Sequence, residues 1–112
     1  MKKIEMLQKM KEATNSELEK AVINIIIEQG QDDIENYINN VLTYGCVSGA
    51  VSALIYYRDT EKFFDAHAEE ILEILNNYTD DGVNIEFEIN KNNLAWMAFE
   101  EICYRISNEI ES

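Results

Sequence analysis

This sequence predicts an all-α single domain, on three observations. The chain of 112 residues has no proline and only four glycines, so little in it removes a backbone donor or breaks a helix. Apolar residues recur at three- and four-residue steps along most of its length, the spacing of one helix face. Hydrophobic residues make up 46% of the chain, enough for a real core in a domain of this size. The expected architecture is a compact bundle of five or six helices over residues 1–112, with one short extended segment near 83–89. A first helix within residues 1–15 can sit at its periphery.

The elements follow in order. Lys2 to Glu12 reads as a short amphipathic helix, with Ile4, Leu7 and Met10 three residues apart. Thr14-Asn15-Ser16 is a polar break. Thr14 stands three residues before Glu17 and Ser16 three before Glu19, the spacing of a capping box. A second helix then runs to Gln29 with Leu18, Val22, Ile25 and Ile26 on one side, and Gly30 is placed to end it in the left-handed conformation. The β-branched run from Val22 to Ile27 leaves a strand open as the alternative. Asp32 starts a third helix, with Glu35 three residues on and Ile34, Ile38, Val41 and Leu42 inward. Gly45 interrupts it.

Cys46 to Tyr57 reads as a buried helix on which Gly45, Gly49 and Ala53 recur every four residues. Such a small-residue face lets a neighbouring helix approach closely, best known in membranes and read here as core packing. Asp59 or Thr60 caps the next helix, which runs to about Tyr78 with Phe64, Ala68, Ile71, Leu72, Leu75 and Tyr78 as its apolar stripe. Asp80-Asp81-Gly82 signals a turn. Val83, Ile85, Phe87 and Ile89 then alternate with Asn84, Glu86, Glu88 and Asn90, which is strand periodicity. A lone strand must lie against the bundle or pair with a second copy, so a homodimer is one expected state. Asn92 or Asn93 caps a last helix from Leu94 to about Ile110, on which Glu101 and Arg105 are placed to pair.

Charge is unevenly spread. Residues 1–20 carry five lysines and four glutamates, a net of +1; residues 21–112 carry 18 acids against Arg58, Lys62, Lys91 and Arg105, a net of −14, which brings the chain to −13. Such a field repels nucleic acid and attracts basic surfaces. The longest near-apolar run, Cys46 to Tyr57, is too short to span a bilayer, and the N-terminus lacks the continuous apolar stretch of a signal peptide. The expected location is the cytoplasm, with no membrane partner and no direct binding of nucleic acid.

The search for chemistry finds no reaction specified. His67 is the only histidine and lies in mid-helix as a boundary residue. With Glu70 it makes at most one metal-binding pair, whereas a di-iron bundle needs a second such element. Cys46 and Cys103 read as reduced, buried thiols, and two cysteines with one histidine do not make a zinc site. No glycine-rich phosphate loop is present. An acid/base enzyme using two carboxylates stays open, but the expectation is a non-enzyme without cofactor or metal. What remains is the acidic surface. Asp65, Glu69 and Glu73 repeat every four residues, and Asn76 and Asp80 continue the line, with steps of about 6 Å. With Asp81, Glu86 and Glu88 they are the candidate partner-binding residues. A solvated face that aids solubility and a row of carboxylates that imitates backbone phosphates are both consistent with that spacing.

Two stretches carry a resemblance. Gly45-Cys46-Val47-Ser48-Gly49-Ala50-Val51-Ser52-Ala53-Leu54-Ile55-Tyr56-Tyr57-Arg58-Asp59-Thr60-Glu61-Lys62-Phe63-Phe64 and Leu94-Ala95-Trp96-Met97-Ala98-Phe99-Glu100-Glu101, with Tyr104-Arg105 after it, resemble a family of small acidic proteins of bacteriophages, prophages and mobile elements. The resemblance covers roughly the C-terminal two thirds and implies no particular activity. It sets the first 40 residues apart as an addition or variable part. In size, helical content and charge the chain is more loosely similar to anti-CRISPR and DNA-mimic anti-restriction proteins. That similarity implies a partner that is a basic host protein or nucleoprotein complex, which the chain would bind and inhibit. The alternative is a phage-derived structural or regulatory interaction module without mimicry.

Overall fold

The computed structural model describes residues 2–42, 60–76 and 91–111. They form α1 (Lys3–Ala13), α2 (Glu17–Gly30), a 3-10 turn (Gln31–Asp33), α3 (Ile34–Val41), α4 (Thr60–Asn76) and α5 (Lys91–Glu111). No strand occurs among the described residues, and the all-α bundle is the observed class. The helix expected from Cys46 to Tyr57, the Gly45 break and the alternating segment from Val83 to Ile89 lie outside the described residues. The β-branched run from Val22 to Ile27 is helical, because its inward residues recur at helical rather than alternating positions.

The core is built around α5. Leu94, Ala95, Ala98, Phe99, Ile102, Cys103, Ile106, Ser107 and Ile110 are all buried. They come as adjacent pairs every four residues. Four residues turn a helix by about 400°, so the buried stripe advances about 40° at each step and winds round the helix. A winding stripe cannot be covered by one neighbour. The packing follows: α4 makes the most extensive interface with α5, and α1 and α2 also pack on it. Phe99 meets Phe63 of α4 edge to face, with ring centroids 6.2 Å apart, a geometry that adds to the area both rings bury. The helix begins at Lys91, so Asn92 and Asn93 lie inside its first turn rather than capping it. The expected Glu101–Arg105 pair forms at 3.0 Å.

α1 contributes Leu7, fully buried, and packs Ile4, Met6 and Met10 against the core. Its N-terminus presents a difficulty. Lys2 is the cap residue and offers no side-chain cap, and Lys2-Lys3 places positive charge at the positive end of the helix dipole. Glu35 of α3 resolves both. Its carboxylate accepts the Lys3 amide at 3.2 Å and the Ile4 amide at 3.0 Å, two of the donors that a helix start leaves orphaned. The Lys3 ammonium also donates to Asn39 Oδ1. The sequence pattern assigned Glu35 to the start of its own helix. Instead the chain passes through the 3-10 turn, and Asp33 precedes α3 without a side-chain cap.

Gly30 also departs from expectation. It lies inside α2, at φ −71° and ψ −28°, in the right-handed region. A glycine there leaves room for Ile34: a Cβ would stand 3.2 Å from its Cβ and Cγ1 and overlap Cδ1, the far end of that side chain, which would have to shift. The tight passage from α2 into α3 brings Ile34 over the Gly30 backbone.

Two predictions follow from this packing. Phe99→Ala should cost about 3–5 kcal/mol in urea unfolding, while Tyr104→Ala on the exposed side of the same helix should stay within about 0.5 kcal/mol. Equal losses for the two would contradict the placement of α5. At Gly30, alanine should be tolerated better than asparagine, since alanine is the better right-handed helix former. A left-handed cap would reverse that order, and thermal melts of the two variants read it directly.

Candidate functional site

The candidate surface is the outer face of α4, and the inner face of that helix defines it. Phe63, Ile71 and Leu75 are buried, and His67 completes a row of four-residue steps. The His67 ring lies against Phe63, centroids 5.1 Å apart and planes tilted by 53°. Asp65, Glu69 and Glu73 stand two positions on from this row, about 200° around the helix. All three are exposed. The row is therefore turned away from the core by the same periodicity that buries its opposite.

His67 interrupts the helix, with φ −130° and ψ 22°. Asp65 precedes the break; Glu69 and Glu73 follow it on one regular stretch. The even spacing read from the sequence thus holds between Glu69 and Glu73 and is broken before Glu69. Asp80, Asp81, Glu86 and Glu88 lie outside the described residues. The apolar stripe also differs from its expectation. Phe63, not Phe64, enters the core, while Phe64 packs at its edge. Leu72 is 38% exposed. It sits three residues after Glu69 and beside Glu73, an apolar side chain at the margin of the acidic row.

Glu70 fixes α4 to α2. Its Oε1 accepts the Leu18 amide at 3.3 Å, and its Oε2 accepts the Ser16 hydroxyl. Ser16 Oγ in turn accepts the Glu19 amide at 3.0 Å, and the Ser16 amide donates to Thr14 Oγ1 at 3.1 Å. The circuit closes where Thr14 Oγ1 donates to Glu19 Oε2 at 2.9 Å. Half of the Ser16–Glu19 capping box is thus formed as the sequence predicted. Glu19 turns to Thr14, and a carboxylate from 52 residues away along the chain takes the Leu18 amide. Glu17, expected in a box with Thr14, pairs with Lys20 at 3.3 Å. The sequence pattern marked Ser16; it held no signal for Glu70, whose partners are remote.

The remaining chemical candidates are placed as follows. Cys103 is buried, and burial pushes its thiol well above the ordinary cysteine range, with the negative charge of Glu100 adding to the effect. The thiolate is the nucleophile, so this thiol is held in its unreactive form. Cys46 lies outside the described residues. Among the described residues no group of three or more histidine, cysteine or acidic side chains is arranged to hold a metal ion, and no helix is long and apolar enough to cross a membrane. An open groove of about 710 Å³ between α1 and α2 is lined by Gln8, Lys11, Glu12, Lys20, Asn24 and Ile27. Its walls carry both signs of charge.

A family model described as a domain of unknown function, DUF7222, matches residues 8–112. The match takes in α2, α3 and most of α1, so the residues from 8 to 40 that the motif resemblance set apart belong to the same domain as the rest. No curated protein and no solved structure matches the chain.

Removing either tertiary cap should be felt globally. Glu35→Ala and Glu70→Ala should each lower stability by about 1–2 kcal/mol, with an unchanged urea slope, whereas Glu69→Ala, one residue from Glu70 but exposed, should be near neutral. Equal effects of Glu69→Ala and Glu70→Ala would remove the capping role. In a Cys46→Ser background the Cys103 thiol should resist iodoacetamide at pH 8 in the folded protein and react once urea unfolds it. Rapid labelling without denaturant would show the thiol to be accessible.

Proposed function

The chain belongs to the DUF7222 family, and we propose that it is a non-enzymatic acidic protein of a phage or mobile element. In this reading it binds and inhibits a basic host complex that handles nucleic acid in defence, of the anti-CRISPR or anti-restriction type. Its place of action is the cytoplasm of the bacterial host. One observation carries the reading: Asp65, Glu69 and Glu73 are all exposed on α4, on the face opposite the buried row, in a chain of net charge −13. Like charges four residues apart on a helix cost a few tenths of a kcal/mol per pair. A partner with a positive groove turns that cost into attraction, steering the encounter and fixing the register. Carboxylates repeated along one face, Glu69 and Glu73 at regular helical spacing and Asp65 beyond the break at His67, would present such a groove with a charge pattern like that of a phosphate backbone. The phage origin rests on the motif resemblance given above.

A second reading has its own support. Leu72 is exposed at the edge of the acidic row. A phosphate mimic has no use for an apolar side chain, whereas protein interfaces commonly centre on apolar anchors rimmed by polar groups. Leu72 therefore favours an interaction module without mimicry, which can act as a homodimer or on another protein.

The test is a titration of the chain against purified CRISPR effector complexes and restriction endonucleases, with DNA as competitor. Under the mimicry reading, one of these binds and is displaced by DNA. Replacing Asp65, Glu69 and Glu73 together by their amides should then weaken binding at least about tenfold, equivalent to about 1.4 kcal/mol, without lowering the melting temperature. Added salt should weaken binding steeply, since exposed charges are screened beyond about 10 Å at 0.1 M. Affinity indifferent to both changes would remove mimicry. Leu72→Ala separates the two readings: mimicry predicts little change, and the interaction module predicts a loss of more than about 1 kcal/mol, as for an interface anchor.

A further inference from the structure

We draw no further inference here: the strongest candidate, the exposed outer face of α4 where Leu72 stands beside Glu69 and Glu73, belongs to the site already described, and nothing in the structure shows what covers it.

Discussion

Burial around α5 is the constraint on which the other helices depend. A helix with a straight apolar stripe can be satisfied by one partner. The pairs from Leu94/Ala95 to Ile106/Ser107, and Ile110 beyond them, wind too far for that, and α4, α2 and α1 all pack against α5. Burying each large apolar side chain is worth about 1.5–3 kcal/mol, so the central helix supplies much of the driving force. The same requirement gives α4 a buried row of four-residue steps, and through it an outer face two residues out of phase. The acidic row is exposed as a consequence of how α4 meets α5.

Acidic residues occupy two kinds of place in this chain, and composition cannot tell them apart. Glu35 and Glu70 close helix N-termini that their own sequences leave open: α1 starts on two lysines, and α2 has a serine that satisfies only one of its first amides. Each brings negative charge to the positive end of a helix dipole and ties one helix to another, α3 to α1 and α4 to α2. Glu69, next to Glu70, points to solvent with Asp65 and Glu73. A difference of one residue, about 100° of rotation, separates a carboxylate that joins two helices from one that faces solvent.

That division bears on function. The chain's net charge alone would suggest a diffuse field. With Glu70 set apart as a cap, Asp65, Glu69 and Glu73 remain as exposed acids on one face of α4, with Leu72 at its edge. In the proposed function the charge there is what would meet a basic partner, and the leucine is the observation behind the reading without mimicry. Cys103 is part of the buried core, where burial raises its thiol pKa, and half-buried His67 lies at the core's edge with its ring tilted against Phe63.

Local features of the sequence were enough for the helices, because helix formation is written in short-range periodicity. α1, α2 and the C-terminal helix appear within a few residues of where apolar spacing and polar breaks place them. Ser16 caps as its spacing to Glu19 predicts, and the Glu101–Arg105 pair forms because both residues sit on one helix face. The spacing of Glu69 and Glu73, which share one regular stretch of α4, was legible in the same way. Tertiary structure alone decided the rest. Gly30 looked like a left-handed stop until Ile34 packed over it. Phe63 rather than Phe64 enters the core because the face of α4 that meets α5 carries Phe63, Ile71 and Leu75, which leaves Leu72 exposed beside it; the break at His67 separates Asp65 from the two glutamates that follow. Glu35 and Glu70 became caps for helices 31 and 52 residues away in sequence. Periodicity records which face of a helix is apolar; which orphan amide a remote carboxylate will reach depends on how the faces assemble, and that is set only when the helices pack.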